Sequence, residues 1–389
     1  MRFLRWRLDD TSIAPGASGG GREVAGNRNL ARLAVFATFA SGLGAILLDR
    51  VACLAETPVI QTTLINEVEK HPLADPGKSF QGPFTELTAH EAALATALRK
   101  DVDRLAGEIG ERSMAKYAKL VEAAAFIEKS LQADGFQVGQ QTYELRGRKC
   151  ANLEVEIKGT KAPAEIFIVG AHYDAVAGAP GANDNGSGVA ALLALGRAFG
   201  GRQSDRTIRL VAFANEEPPY FQEPGMGSLH YAKRCKERKE NVVGMVSVET
   251  IGYYTDAPDS QHYPPPLGMI YPSTGNFIAF VANPQSESLV RAAATSFRKH
   301  AKFPSQWGVA PAFIPGVGWS DHWSFWEHGY QGIMITDTAL FRYPHYHKLS
   351  DTPDKLDYPR MSRVVAGIEQ MVGDLVGLQA KPPEMTRAN

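Results

Sequence analysis

Cysteine, net charge and long apolar runs are all scarce in this chain of 389 residues. The three cysteines, Cys53, Cys150 and Cys235, form no CxxC pair and cannot complete a disulfide framework, so the fold must rest on its core. Lys plus Arg number 41 against 42 Asp plus Glu, a formal net charge of −1. That balance argues against nucleic-acid binding through bulk charge and against a disordered acidic or basic tail protein. No GxGxxG or GxxxxGK[ST] loop follows a predicted strand, which counts against a nucleotide-binding protein. No internal repeat is present. The remaining composition is ordinary for a soluble globular protein: 44% hydrophobic and 21% charged residues. The length is ample for a sizeable core and fits two or three domains, or one large α/β sheet.

The N-terminus reads as a leader over residues 1–55. Arg2, Arg5, Arg7, Arg22, Arg28 and Arg32 precede an apolar run at 33–48, which Asp49 and Arg50 close. A basic region before a short apolar run predicts a signal peptide or a signal anchor. The run of 16 residues falls short of the roughly 20 of a comfortable membrane span. Positive charge on its N-terminal side predicts export of the chain beyond residue 50, to a periplasmic or extracellular location, with membrane attachment through 33–48 if the run is kept. A buried amphipathic helix is the alternative. Cys53 invites a lipid anchor, but Arg50 stands where an apolar residue is expected. Residues 56–85 read as a linker or wrapping segment, and 86–380 as the folded domain.

Within that domain Leu94, Leu98, Val102, Leu105 and Ile109 recur at helical spacing, and a second helix spans about 117–134, stopped by Gly135. Strands are then expected at 152–159, 164–171, 207–214, 242–248, 269–271, 278–281 and 332–336. Helices are expected at 187–199, 226–240, 286–299 and 359–378. This alternation predicts an α/β fold with a mixed, mostly parallel sheet flanked by helices. In such sheets ligands bind beyond the carboxyl ends of the strands.

The chemistry-bearing residues stand at those ends. The first core strand runs into His172-Tyr173-Asp174, and the loop after it carries Asp184 in Asn183-Asp184-Asn185-Gly186-Ser187-Gly188. Later strands run into Asn215-Glu216-Glu217, into Glu249 and towards Asp337, with Tyr346-His347 further on. His172, Asp184, Glu216, Glu217, Glu249 and His347 are therefore expected to converge on one rim. Two histidines with several carboxylates make a zinc ligand set, and carboxylate bridging leaves room for two ions. Asp174, two residues from His172, is placed to fix that histidine's tautomer. Each piece alone is ordinary: an Asp in a glycine-rich loop serves the turn, and a Glu pair is commonly a solvated edge. Their joint order after apolar strands carries the reading.

The run from His172 to Gly188, followed in order by Asn215-Glu216-Glu217, Glu249, Ser320-Asp321-His322 and Tyr346-His347 with Asp351-Thr352, resembles the zinc aminopeptidases of peptidase family M28 over roughly residues 90–378. The resemblance implies a zinc-peptidase-like α/β domain with two Zn2+ ions per chain and peptide substrates. His172 and Glu249 would hold one ion, Glu217 and His347 the other, with Asp184 between them; Glu216 would be the catalytic base and Asp174 its neighbour in catalysis. Glu249 departs from the family, many members of which carry Asp there. His345 competes with His347, which alone keeps the spacing to Asp351. Asp351 is expected to brace the His347 loop, Asp321 and His322 to form rim contacts or a structural turn, and Tyr220 and Phe221 to line a pocket or cap the sheet. Aminopeptidase activity is the favoured expectation. A carboxypeptidase, a dipeptidase, a glutaminyl cyclase or a metal-free binding domain are the alternatives. The side-chain preference and oligomeric state are not legible.

Overall fold

The computed structural model describes residues 77–265 and 267–380; the leader, its apolar run and most of the 56–85 segment lie outside the described residues. Among the described residues no helix is long and apolar enough to cross a membrane.

Two helices open the domain. Thr88 and Glu91 form a reciprocal capping box that starts α1 (Ala89–Val102). The helix widens into a π-turn at Asp103–Ile109 and stops at Gly110, whose φ of 79° suits glycine. α2 (Tyr117–Ala133) buries Leu120, Ala123, Ile127 and Leu131 on one face. There follow β1 (Gly139–Leu145), β2 (Arg148–Ile157), β3 (Gly159–His172), α3 (Gly188–Phe199), β4 (Ser204–Phe213) and α4 (Gly227–Glu237). The second half adds β5 (Asn241–Val248), β6 (Ile278–Ala282), α5 (Glu287–His300), β7 (Ser305–Val309), α6 (His322–Glu327), β8 (Gly332–Thr336), α7 (Ala339–Arg342) and α8 (Tyr358–Val376).

The strands form one eight-stranded sheet in the order β1-β2-β4-β3-β5-β8-β6-β7. The centre, β4-β3-β5-β8, is parallel. β2 pairs antiparallel with β4 and with β1 on one side, while β6 runs antiparallel to β8 and parallel to β7 on the other. The near-continuous apolar run of β3 follows from its position: Phe167, Val169 and Ala171 face the larger core with α3 and α8, and Ile166 and Ile168 face the smaller one beneath α4. Helices therefore cover both faces, and only the strand ends are free to carry chemistry.

The expected strand at 269–271 is not formed; a 3-10 turn occupies Leu267–Met269, with Met269 and Ile270 exposed. An apolar dipeptide in a Pro/Gly-rich stretch gave the wrong signal, because no neighbouring strand edge receives it. Conversely β1 and β7 were not anticipated. Both lie at the edges of the sheet and bury almost nothing, so neither carries the apolar pattern of the central strands.

Candidate metal centre

The parallel strands end side by side. His172 is the last residue of β3, Glu216 and Glu217 follow β4, and Glu249 follows β5. His172 is fully buried, and its Nε2 stands 3.1 Å from Glu249 Oε2, 3.3 Å from Asp184 Oδ1 and 3.9 Å from Glu216 Oε2. His347 Nε2 stands 3.1 Å from Asp184 Oδ2 and 3.2 Å from Glu217 Oε2. Asp184 thus turns one oxygen to each histidine. Two donors at about 2.0–2.1 Å from one tetrahedral ion stand about 3.3 Å apart, close to these separations. Asp184 Oδ1 and His347 Nε2 are buried without a hydrogen-bond partner, a costly state that a cation would relieve. One ligand atom from each of His172, Asp184 and Glu217 falls within 4.8 Å of the others. The residues fit a metal centre of nitrogen and oxygen donors.

Electrostatics describe the same crowding. Burial would lower His172, but the Glu249 and Glu216 carboxylates raise it well above its ordinary value. Burial likewise opposes His347, which Asp184 and Glu217 raise to about 10. Burial and the Asp184 charge push Glu217 up to about 7, and burial pushes Glu249 up to about 8. Asp184 goes the other way: burial would raise it, but the two histidines hold it below the ordinary carboxylate range. Excess buried negative charge is what a bound cation compensates.

The supports are side chains that fix backbone. Asp174 lies 3.5 Å from His172 Nδ1, and its two oxygens accept the amides of Glu216 and Glu217, each at 3.1 Å. Glu217 Oε1 accepts the Val176 amide at 3.0 Å. Asp351 accepts the amides of Asn183 and Asp184 and the Tyr343 hydroxyl, so it braces the Asp184 loop as well as its own. Asn183 bridges Asp337 and the Gly252 amide. Asn185 donates to the Val248 carbonyl and Glu249, and Ser187 ties the Asn183 carbonyl to the Ile251 amide. Asn215, Thr250 and His347 all take left-handed φ of 52–58° beside the site, a local strain that the surrounding bonds must hold.

The other residues named from the sequence take different places. His345 Nδ1 meets Ser350 Oγ at 2.9 Å and does not join the carboxylates. Asp337 accepts from Asn183, Thr250 and the Tyr253 amide, a structural place. Asp321 is fully buried, and burial raises it to about 7. His322 donates Nε2–H to the Val317 carbonyl at 2.8 Å. Ser320, beside them, reaches the centre: its hydroxyl donates to Glu249 Oε2 at 2.8 Å. Phe221 packs edge-on against Trp319, and Tyr220 lies beneath Arg146. Ser320, Asn183, Asn185, Arg112 and Tyr346 were not singled out as site residues from the sequence. Tyr346 stacks on the His347 ring at 3.9 Å between centroids, and its neighbourhood to His347 was the one available signal.

A cavity of about 140 Å3 opens beside Glu249 and Tyr346. Its lining is apolar and aromatic, with Tyr271, Phe277, Trp307, Trp319, Met334 and Phe341. A second cavity, of about 350 Å3, adjoins Glu217 and Asp174 under Pro218, Pro219 and Tyr220.

The family model for peptidase family M28 matches residues 152–372. The uncharacterized protein YfbL of Escherichia coli (strain K12) is 36% identical over 280 residues, covering 70% of this chain and 85% of YfbL. Among solved structures, a zinc aminopeptidase from Bacillus subtilis superimposes with a TM-score of 0.60 at 16% identity, over 75% of this chain and 96% of that one. A glutaminyl cyclase from Fimbriiglobus ruber does so with a TM-score of 0.53 at 20% identity, over 77% and 99%. At these identities the two structures share the fold.

Proposed function

The chain belongs to peptidase family M28, and on that premise we propose that it is a dizinc aminopeptidase that removes N-terminal residues with apolar or aromatic side chains from peptides. One observation carries the reading: Asp184 stands between two histidines, with Oδ1 towards His172 and Oδ2 towards His347. In the proposed arrangement His172, Glu249 and Asp184 would hold one zinc, and Glu217, His347 and Asp184 the other. When bound, zinc would supply a Lewis acid that lowers the pKa of water and polarises a carbonyl.

The chain's own groups supply the proton handling and the positioning. Glu216 stands 3.9 Å from His172 Nε2, farther than the 3.1–3.3 Å of the other carboxylates from the two histidines, and Asp174 fixes its amide. Burial, with the Glu249 and Glu217 charges opposed by His172, raises the Glu216 carboxyl well above its ordinary value. A carboxylate so placed takes a proton from water readily and returns it to the leaving amine. Asp174 steers His172 and holds the Glu216–Glu217 backbone, so its part is alignment. The Tyr346 ring stacks on His347, and its phenol, buried among the same carboxylates, would offer an O–H donor to a substrate held there. The apolar cavity next to Glu249 receives the first side chain, and the acidic rim attracts the free amino terminus.

Metal content and peptide hydrolysis test this on one purified sample. Close to two zinc ions per chain, with cleavage of unblocked but not N-acetylated peptides, is the expected result. Cleavage of acetylated peptides would move the activity to a carboxypeptidase, and cyclisation of N-terminal Gln without hydrolysis to a cyclase. Absence of bound zinc would leave a binding domain.

A further inference from the structure

Arg112 is a fully buried arginine that takes no part in the chemistry above. Its Nε donates to the Tyr173 carbonyl at 2.8 Å. Its Nη1 donates to the carbonyls of Leu105 at 3.2 Å, Gly110 at 3.1 Å and Pro180 at 2.5 Å, and its Nη2 to that of Gly181 at 2.9 Å. All five acceptors are main-chain carbonyls, and they come from three separate segments. One is the π-turn with the Gly110 that closes it. The second is the end of β3, where Tyr173 sits between His172 and Asp174. The third is the loop that reaches Asp184 three residues after Gly181. The Arg112 carbonyl in turn accepts the Ala175 amide at 3.1 Å. Gly181 rests directly on the guanidinium: at its φ of 65°, a Cβ would stand 2.9 Å from Arg112 Nη2 and 2.6 Å from the Ala175 Cβ. The loop and the strand end are therefore closed on Arg112 with no slack.

We propose that Arg112 is a positioning residue that fixes the strand end bearing His172 to the loop bearing Asp184, so that the metal centre is assembled before an ion arrives. The proposal rests on the reading of that centre as zinc-binding. A guanidinium has five donors in a rigid plane and can hold three segments at once; a lysine ammonium has three donors and cannot reproduce the fork. The residue also keeps a positive charge behind a crowded group of acids. Burial lowers its pKa to about 10 against the opposing charges of Asp174, Asp351, Asp184 and Glu217, so it remains protonated at neutral pH.

Charge and geometry predict opposite signs. Removing a cation from beside zinc ligands strengthens zinc binding if charge alone matters, and weakens it if the staple matters. Zinc affinity is measured on the full chain by competition with a chromophoric chelator, for the wild type, Arg112→Lys and Arg112→Met. Both variants are expected to bind zinc at least about tenfold more weakly, the range seen when residues supporting metal ligands are removed. Wild-type affinity in Arg112→Lys, or tighter binding in Arg112→Met, overturns the proposal. Should neither variant fold, amide hydrogen exchange of the zinc-free wild type decides. The amides of Ala175, on the Arg112 carbonyl, and of Gly186, on the Gly181 carbonyl that Arg112 also holds, are expected to stay protected without zinc. Free exchange there, with protection gained only on adding zinc, overturns it. A wild type that binds no zinc at all would instead remove the functional reading, and the exchange result would still judge the staple.

Discussion

His172 ends a central parallel strand with no exposed surface, whereas His347 stands on a loop at a φ of 56° with 30% of its side chain exposed. Three of the proposed zinc-binding or catalytic carboxylates, Glu216, Glu217 and Glu249, follow strands as His172 does, and neighbouring parallel strands bring their ends together at no further cost. Asp184 and His347 come from loops: Asp351 holds the amides before and at Asp184, and the Tyr343–Asp351 and His345–Ser350 contacts close the loop of His347. Four groups of the centre are thus set by the sheet, and two by hydrogen bonds that the sheet does not supply; these are its strand half and its loop half only in the sense of two sources.

The largest expected effect leaves both halves intact. Glu216→Gln should keep its zinc, measured by mass spectrometry, and lose about 10²–10⁴-fold in turnover; full turnover would take Glu216 out of its role. Substituting the two histidines sharpens the comparison. In zinc-free protein, His172→Ala strands buried carboxylates and should cost about 3 kcal/mol in denaturant unfolding. His347→Ala, at the exposed side, should cost about 1 kcal/mol. Equal costs would dissolve the distinction. Asp351→Asn should weaken zinc binding by about 10–100-fold through the loop half, with the fold unchanged by circular dichroism. Trp307→Ala, in the apolar cavity, should lower kcat/KM for Leu or Phe termini about tenfold and spare Ala termini; a uniform loss would show that the cavity does not read the side chain.

The smallest effect is on pH. Glu217 and Glu249 are raised from an ordinary 4.5 to about 7 and about 8, so the folded chain holds protons that the unfolded chain has released. Their contribution to stability is full below about 4.5 and falls as pH climbs to about 8. His347, raised from 6.5 to about 10, acts in the same direction at higher pH. The melting temperature of zinc-free protein should therefore fall between pH 5 and pH 8, while the increment from added zinc grows, because the ligands must be deprotonated to bind. A flat or rising zinc-free profile would mean that the acids are not crowded as described.

The strand-built half was legible because an apolar run ending in His172, Glu217 or Glu249 is a pattern along the chain. Asp184 and His347 were legible from their order after the apolar strands, and the family resemblance then separated His347 from His345. Their supports were not. Arg112, Asn183, Asn185, Ser187 and Ser320 act by reaching main-chain atoms or carboxylates up to 154 residues away, and such contacts have no period or local signature. Edge strands β1 and β7 escaped for the related reason that burial writes the pattern, and they are scarcely buried. The false strand at 269–271 shows the converse, apolar residues that face solvent.

Asp174 grips two consecutive amides, and just beyond them the chain is gripped again where the Gly227 amide meets the Ala214 carbonyl at 2.8 Å. The residues 218–226 hang between these two anchors. Tyr220 and Met226 pin the segment inside the fold, so the exposed Pro218, Pro219, Glu223 and Pro224 form its exchangeable part, open to drift or to rewriting by an engineer while the neighbouring glutamates keep their register.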